Sequence, residues 1–285
     1  EIQILEDGIP SSSGSIAFED PGLQIIVAIN PAPSMALYYG GVTRYEQIRI
    51  ALAKWAGNLN TAHDDFSLVT TNGILATRLS SVESWVELFQ QFKPAFVSST
   101  PSFASLNQAL DLASDINPRE YMKRAILFIT PLPLAGQLNA LPDLTSRAAQ
   151  LGARVFVWLI GPSFAGDTVE AAGLRQLAEQ TGGSFFVFSG AEQLPDPENY
   201  FQPLRGIYRL QYTSGINQSG SHLLAVTLKR SDLPIISNEM AFEIFISLPN
   251  IILLNPPQEI FREEKRITDQ GEIRLLPLNQ VIQVV

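Results

Sequence analysis

The chain has 285 residues, 46% of them hydrophobic and 16% charged, enough to bury a sizeable core and far from the composition of disorder. A formal net charge of -9, with 28 acidic against 19 basic residues and the basic ones scattered, disfavours a nucleic-acid backbone or an anionic lipid surface as partner. The absence of cysteine excludes a disulfide framework, a thiolate metal site and a cysteine nucleophile.

Residues 1–5 alternate polar and apolar side chains and run into Asp7-Gly8, the pattern of a strand entering a turn, and the serine-rich stretch 11–15 reads as a linker. Residues 23–29 (LQIIVAI) form an uninterrupted apolar, β-branched run that stops at Asn30-Pro31, as expected of a strand covered on both faces. After a loop, Ile48, Ala51, Leu52, Trp55 and Leu59 recur at helical spacing and predict an amphipathic helix over residues 45–59. The alternation continues with strands over 66–71 and 74–79, helices over 82–92 and 106–116, and a buried strand over 124–130. A helix over 141–151, a strand over 154–160, a helix over 168–180 and a strand over 184–188 complete it. Parallel strands need crossover helices, so the pattern predicts an α/β fold: a doubly wound, mainly parallel sheet with helices on both faces. Asn72-Gly73 marks a hairpin that adds an antiparallel edge strand.

Beyond Gly206 the rhythm changes. Residues 208–213, 222–229 and 241–247 alternate as strands with no helix between them, the signature of a smaller all-β, sandwich-like domain. The expected division is residues 21–206 for the α/β domain, with residues 1–20 and 207–285 forming the β-sandwich-like part. Its apolar stretch 244–254 is broken by Pro249 and Asn250, and the other, 153–161, is also well short of the roughly 20 residues of a membrane helix. No membrane span is expected within this segment. The chain opens on Glu1 and ends on apolar residues 281–285, so it reads as an excised segment whose signal or anchor would lie outside it.

In an open parallel sheet, ligands bind beyond the carboxyl ends of the strands, which directs attention to the loops at 30–34, 98–105 and 130–133. The run LQIIVAINPAPSM (residues 23–35) resembles the first strand of a von Willebrand factor type A (VWA) domain, where an apolar strand ends in Asp-x-Ser-x-Ser. STPSFASLNQALDLA (99–113) is similar to that family's second loop, a Thr ahead of a helix containing an Ala-Leu pair, and AILFITPLP (125–133) to its strand ending in Thr-Asp-Gly. The resemblance covers roughly residues 23–206, and order and spacing agree for all three loops. More loosely, EIQILEDGIP and YRLQYTSG followed by HLLAVTL look like β-segments that flank such domains in bacterial surface or secreted proteins, implying an extracytoplasmic or cell-surface location.

The resemblance implies a divalent-cation adhesion site at those loops. Carried over by position, Asn30 stands where the first Asp belongs, Ala32 where the first Ser belongs and Pro131 where the third-loop Asp belongs; only Ser34 and Thr100 keep the family's residue type. A hard cation such as Mg²⁺ wants oxygen ligands in near-octahedral array with carboxylates nearby, and Asn30, Ser34 and Thr100 supply no carboxylate. The expectation is therefore a degenerate site without tight cofactor binding, in which Asn30 caps a strand end, Pro31 and Pro33 stiffen the loop, and Thr100 hydrogen-bonds backbone near the helix start.

Other features point to no chemistry. His63 and His222 fall in different domains, residues 161–166 (GPSFAG) have one residue too many for a nucleophile elbow, and no phosphate-binding glycine loop is present. Trp55, Trp85 and Trp158 read as core residues, and Gly182 as a helix C-cap. Tyr38 and Tyr39, directly after the first loop, are the aromatic pair placed to touch a partner. The reading is a non-enzymatic protein-binding or adhesion module acting through the loops at the strand ends with its metal site largely lost. Its alternatives are a Mg²⁺-dependent module with a reduced ligand set and an α/β hydrolase-type enzyme.

Overall fold

The computed structural model describes residues 2–11, 14–59, 63–115, 119–230, 233–247, 262–266 and 273–277. The chain divides into an α/β unit, residues 16–210, and a β unit made of residues 1–15 and 211–285. Residues 16–20 and 207–210, which the sequence pattern groups with the β-segments, thus lie in the α/β unit.

The chain opens with β1 (Ile2–Glu6) and β2 (Ile9–Ser11), joined by Asp7 and Gly8 at φ 50° and 77°, the positive values of a two-residue hairpin whose twist matches its strands. β3 (Ser15–Glu19) leads into β4 (Leu23–Ile29), all seven of whose residues are buried. Where the sequence suggested only a loop, a small hairpin of β5 (Tyr38–Tyr39) and β6 (Val42–Thr43) follows, turning through Gly40 and Gly41 at positive φ. Next come α1 (Arg44–Gly57), β7 (Asp65–Thr70), β8 (Gly73–Leu79), α2 (Val82–Gln91), α3 (Ala104–Ala113) and β9 (Lys123–Thr130). The unit closes with α4 (Leu141–Gln150), β10 (Ala153–Ile160), α5 (Val169–Gln180), β11 (Phe185–Phe188) and α6 (Glu198–Arg205). Hydroxyl caps start three of these helices: Thr43, Ser81 and Thr168 accept from the backbone N–H groups of Glu46, Ser84 and Ala171.

The six-stranded sheet has the order β11-β10-β9-β4-β7-β8, parallel throughout except for β8. β4 lies at the centre, with β7 on one side and β9 on the other, so the direction of winding reverses between β4 and β9. The side chains of β4 alternate between two cores, as the period of two requires. Ile25, Val27 and Ile29 join the layer built with α1, α2 and α6 around Trp55, Trp85 and Phe201. Ile26 and Ala28 join the layer under α3, α4 and α5. All three tryptophans are core residues, as their positions suggested.

Helix α6 has no counterpart in the sequence reading, because it is short and carries Pro203 internally. It is held by charge as well as by Phe201. Arg205 donates from Nε to Asp64 Oδ2 at 2.6 Å and from its terminal nitrogens to Glu198, while Glu198 also accepts from the Trp55 indole N–H at 3.1 Å. The Asp64 side chain is fully buried and its other oxygen accepts from Leu23 N, so the network ties α6 to the start of the central strand.

β12 (Ile207–Gln211) pairs with β3. In the β unit, β13 (Gly220–Arg230), β14 (Leu233–Ile236) and β15 (Met240–Ile244) join the first hairpin in a five-stranded sheet of order β14-β13-β1-β2, β15 also pairing with β13. Residues of β1 lie antiparallel to β13 in the register Ile4 opposite Val226. β16 (Arg262–Arg266) and β17 (Ile273–Pro277) form a separate ladder. Among the described residues the all-β part is thus one sheet and one ladder. The third of the expected strands ends short, at Ile244, and residues 281–285 lie outside the described residues, as does part of the linker read at 11–15. No helix among the described residues is long and apolar enough to cross a membrane.

Candidate functional site

Five parallel strands end on one edge, and the crevice where the winding reverses is the place such a sheet offers a ligand. Asn30 follows β4 and Thr130 ends β9, so the two flank this switch point. Asn30 is 1% exposed. Its backbone N–H donates to Ile129 O at 2.8 Å, and its carboxamide is committed on both sides: Nδ2 donates to Thr130 Oγ1 at 2.9 Å, and Oδ1 accepts from Ser102 N at 3.3 Å. The Thr130 hydroxyl in turn donates to Pro131 O at 3.0 Å. One amide thereby links the loops after β4 and β9 with the segment entering α3.

Further hydrogen bonds join the remaining loops pairwise. Ser34 Oγ donates to Ile160 O, at the end of β10, at 3.2 Å. Arg44 reaches from the first turn of α1 to Ser34 O at 3.1 Å and to Ser189 O, beyond β11, at 2.6 Å. Gln137 Nε2 donates to Pro101 O at 2.7 Å, linking the loop after β9 to the segment before α3. Glu192 accepts from Ser189 N and Oγ at 2.7 and 2.8 Å. Burial pushes the Glu192 carboxyl up, but those bonds and the charge of Arg44 hold it below the usual carboxylate range.

The structure brings two of the three candidate ligand residues together. Asn30 and Ser34 sit on the same loop at the switch point, whereas Thr100 is exposed and does not make the expected bond at the start of α3. Because that helix begins at Ala104, Ser102 is the hydroxyl within reach of its first N–H, and Ala104 N donates to Ser102 Oγ at 3.3 Å. The sequence reading did not single out Ser102, Arg44 or Gln137. Only Arg44 left a signal: a cation in the first turn of a helix opposes the helix dipole, so it needs an acceptor elsewhere.

The surface above Asn30 is apolar. Pro33, Pro101, Pro131 and Pro162, one from each of four loops, line a shallow depression of about 230 Å³ together with Ala32 and Leu132. Residues 30–43 and 131–140 carry no charged side chain, 161–168 carries only Asp167 and 92–103 only Lys93. These loops expose large apolar side chains instead, among them Leu37, Leu134, Phe164 and, at 76%, Tyr38. Tyr39 is half exposed and packs over Gly190, where an added β-carbon would come within 2.7 Å of Tyr39 Cβ.

With a central first strand, winding that reverses beside it, and the three motif-bearing loops meeting at that reversal, the arrangement matches the one that the resemblance implies. The α/β unit has the doubly wound, mainly parallel fold that a resemblance to von Willebrand factor type A domains implies.

No family model matches the chain, and no curated protein matches it. Among solved structures it is similar to the conserved hypothetical protein BatB from Bacteroides thetaiotaomicron (16% identity, 59% of this chain and 90% of that one, TM-score 0.46). The VWA domain of SpRpn10 is similar at 15% identity over 61% of this chain and 90% of that one, TM-score 0.47. The pilus adhesin SpaC from Lactobacillus rhamnosus GG is similar at 10% identity over 66% of this chain but only 32% of its own, TM-score 0.46.

The resemblance to VWA domains implies a dication at this edge, and the residues present do not fit one. The Asn30 oxygen is taken by Ser102 N, the Ser34 hydroxyl points its proton at Ile160 O, and Ala32 and Pro131 have no side-chain donor atom. With no carboxylate to offset its charge, a hard cation would have to displace hydrogen bonds between loops to gain neutral ligands.

Proposed function

We propose that this protein is a non-enzymatic protein-binding module of an extracytoplasmic or surface protein, docking a partner through the apolar, charge-poor edge of its VWA-like unit without a cation. One observation carries the reading: the loops that would share a metal are instead joined by the side chains of Asn30, Ser34, Arg44 and Gln137. A recognition edge needs fixed loops, because ordering them on binding costs affinity, and hydrogen bonds fix them here. The partner surface that suits this edge is itself uncharged and apolar, since a charge pressed against prolines and leucines would lose water and gain nothing. The extracytoplasmic setting rests on the likeness of the flanking β-segments to those of bacterial surface proteins.

Tyrosine pairs with large exposed area act as binding hot spots, so Tyr38 and Tyr39 are the side chains with most to contribute. A photo-crosslinker placed at position 38 is expected to trap one dominant protein from the native source. The Tyr38→Ala/Tyr39→Ala double variant is expected to lose about tenfold or more in affinity for it with an unchanged melting temperature. Capture should persist in a chelator. Capture that vanishes with chelator would favour a cation-dependent module, and capture indifferent to both tyrosines would remove this edge from the reading.

A further inference from the structure

The β unit contains a histidine whose surroundings set a condition on its charge. His222 lies on β13, with its ring 6.0 Å from that of Phe242 on β15. Its Nδ1 is 2.8 Å from Asp7 Oδ2, and its Nε2 is 3.1 Å from the backbone carbonyl of Gln218. A carboxylate and a carbonyl are both acceptors only, so both contacts are hydrogen bonds only when both ring nitrogens carry protons, that is, when the ring is an imidazolium. Neutral imidazole can keep one and must turn a lone pair on the other.

The two contacts join different pieces of chain. Asp7 is at the turn of the β1–β2 hairpin, where its backbone N–H donates to Leu223 O and its carboxylate Oδ1 accepts from Leu223 N, each at 2.8 Å. Gln218 belongs to the segment 212–219 that precedes β13. Between hairpin and segment lies a cavity of about 400 Å³, walled by Ile9 and Pro10 on one side, by Thr213, Ile216 and Gln218 on the other, and by His222 at the junction.

We propose that protonation of His222 latches segment 213–218 against the β1–β2 hairpin and fixes the wall of this cavity, and that the latch releases as pH rises. The other groups facing the ring do not titrate in the same range. Asp7 is held below the usual carboxylate range, first by its hydrogen bond with His222. Burial pushes Glu6 up, but bonds from Ser214, the Gly215 N–H and Tyr212 bring it below the ordinary value. β15 contributes no titratable group on this face, since Glu243 lies opposite Ser221 and points to the other side of the sheet. β2 contributes none. The bond to Asp7 raises the His222 proton affinity above its ordinary value, which places release above an ordinary histidine midpoint. For a group raised on folding, the stabilisation is complete at pH below the unfolded midpoint and lost as pH climbs through the folded one.

The chain has only two histidines, so the ring nitrogens of His222 and His63 can be titrated separately by ¹⁵N-detected NMR on the full chain. His222 is expected to titrate above 6.5, and amide exchange of residues 215–219, corrected for intrinsic rates, to lose protection as pH passes that midpoint. The loss should approach about tenfold for each unit by which the midpoint is raised. His222→Gln, which offers one donor and one acceptor, should make the protection independent of pH; should that variant fail to fold, Asp7→Asn should lower the His222 midpoint in a folded chain. A midpoint at or below 6.5, or loop protection equal on both sides of it, overturns the latch.

Discussion

Asn30→Asp is expected to destabilise the α/β unit by about 2–4 kcal/mol at neutral pH, although it restores the residue type that a metal-binding VWA edge uses. The substituted position is 1% exposed, and the present amide donates to Thr130 Oγ1, whose own proton is directed to Pro131 O. A carboxylate there loses the donor, faces the Thr130 oxygen and retains only the Ser102 N–H, with no cation to offset its charge. The pH dependence follows from the raised folded-state pKa of such a group. The penalty is absent below the unfolded carboxyl midpoint of about 4 and grows as pH rises toward the folded one. Urea unfolding of the variant and the parent at pH 4 and pH 7 measures this. Equal stabilities at both pH values would show that the buried position tolerates a carboxylate, and full recovery of the variant by micromolar Mg²⁺ would show that the edge accommodates a metal site without the ligands missing at Ala32 and Pro131.

Arg205→Ala should cost more, about 3–5 kcal/mol, because it removes the guanidinium between a fully buried Asp64 and Glu198. For a unit of this size that corresponds to a fall in melting temperature of roughly 10 °C. Arg205→Lys keeps the charge but not the fork that reaches both carboxylates, so an intermediate loss is expected. Thermal melts of both variants test this. A loss below about 1 kcal/mol for the alanine variant would mean that α6 is held by Phe201 and Leu204 alone, with the ion network adding nothing.

The sheet was legible in the sequence for a simple reason. Strands buried on both faces must be continuously apolar, as residues 25–29, 125–129 and 155–160 are, and each crossover helix shows the 3.6 period of a one-sided core contact. What escaped was local structure with a weak signature. The hairpin at Tyr38–Thr43 is two residues deep, so its strands are too short to show alternation, although Gly40-Gly41 marks its turn. Helix α6 is stabilised by an ion pair with a residue 141 positions away, which no local window contains.

The candidate edge divides in the same way. That Ala32 and Pro131 offer no ligand atoms is plain from the sequence. That Asn30 is locked by Thr130 and Ser102, and that Arg44 bridges Ser34 and Ser189, depends on which loops the fold brings together. The role expected of Thr100 falls to Ser102, whose hydroxyl is the one that accepts from Ala104 N at the start of α3.

Titration calorimetry of the unmodified chain with Mg²⁺ and Mn²⁺, paired with melting curves in each ion and in chelator, tests whether hydrogen bonds have taken over the work of a cation at this edge. Heats no larger than dilution and melting temperatures that coincide in all conditions are the predicted result, because a ligand that does not bind the folded state cannot raise its stability. A saturable isotherm in the micromolar range, accompanied by a higher melting temperature, would contradict it.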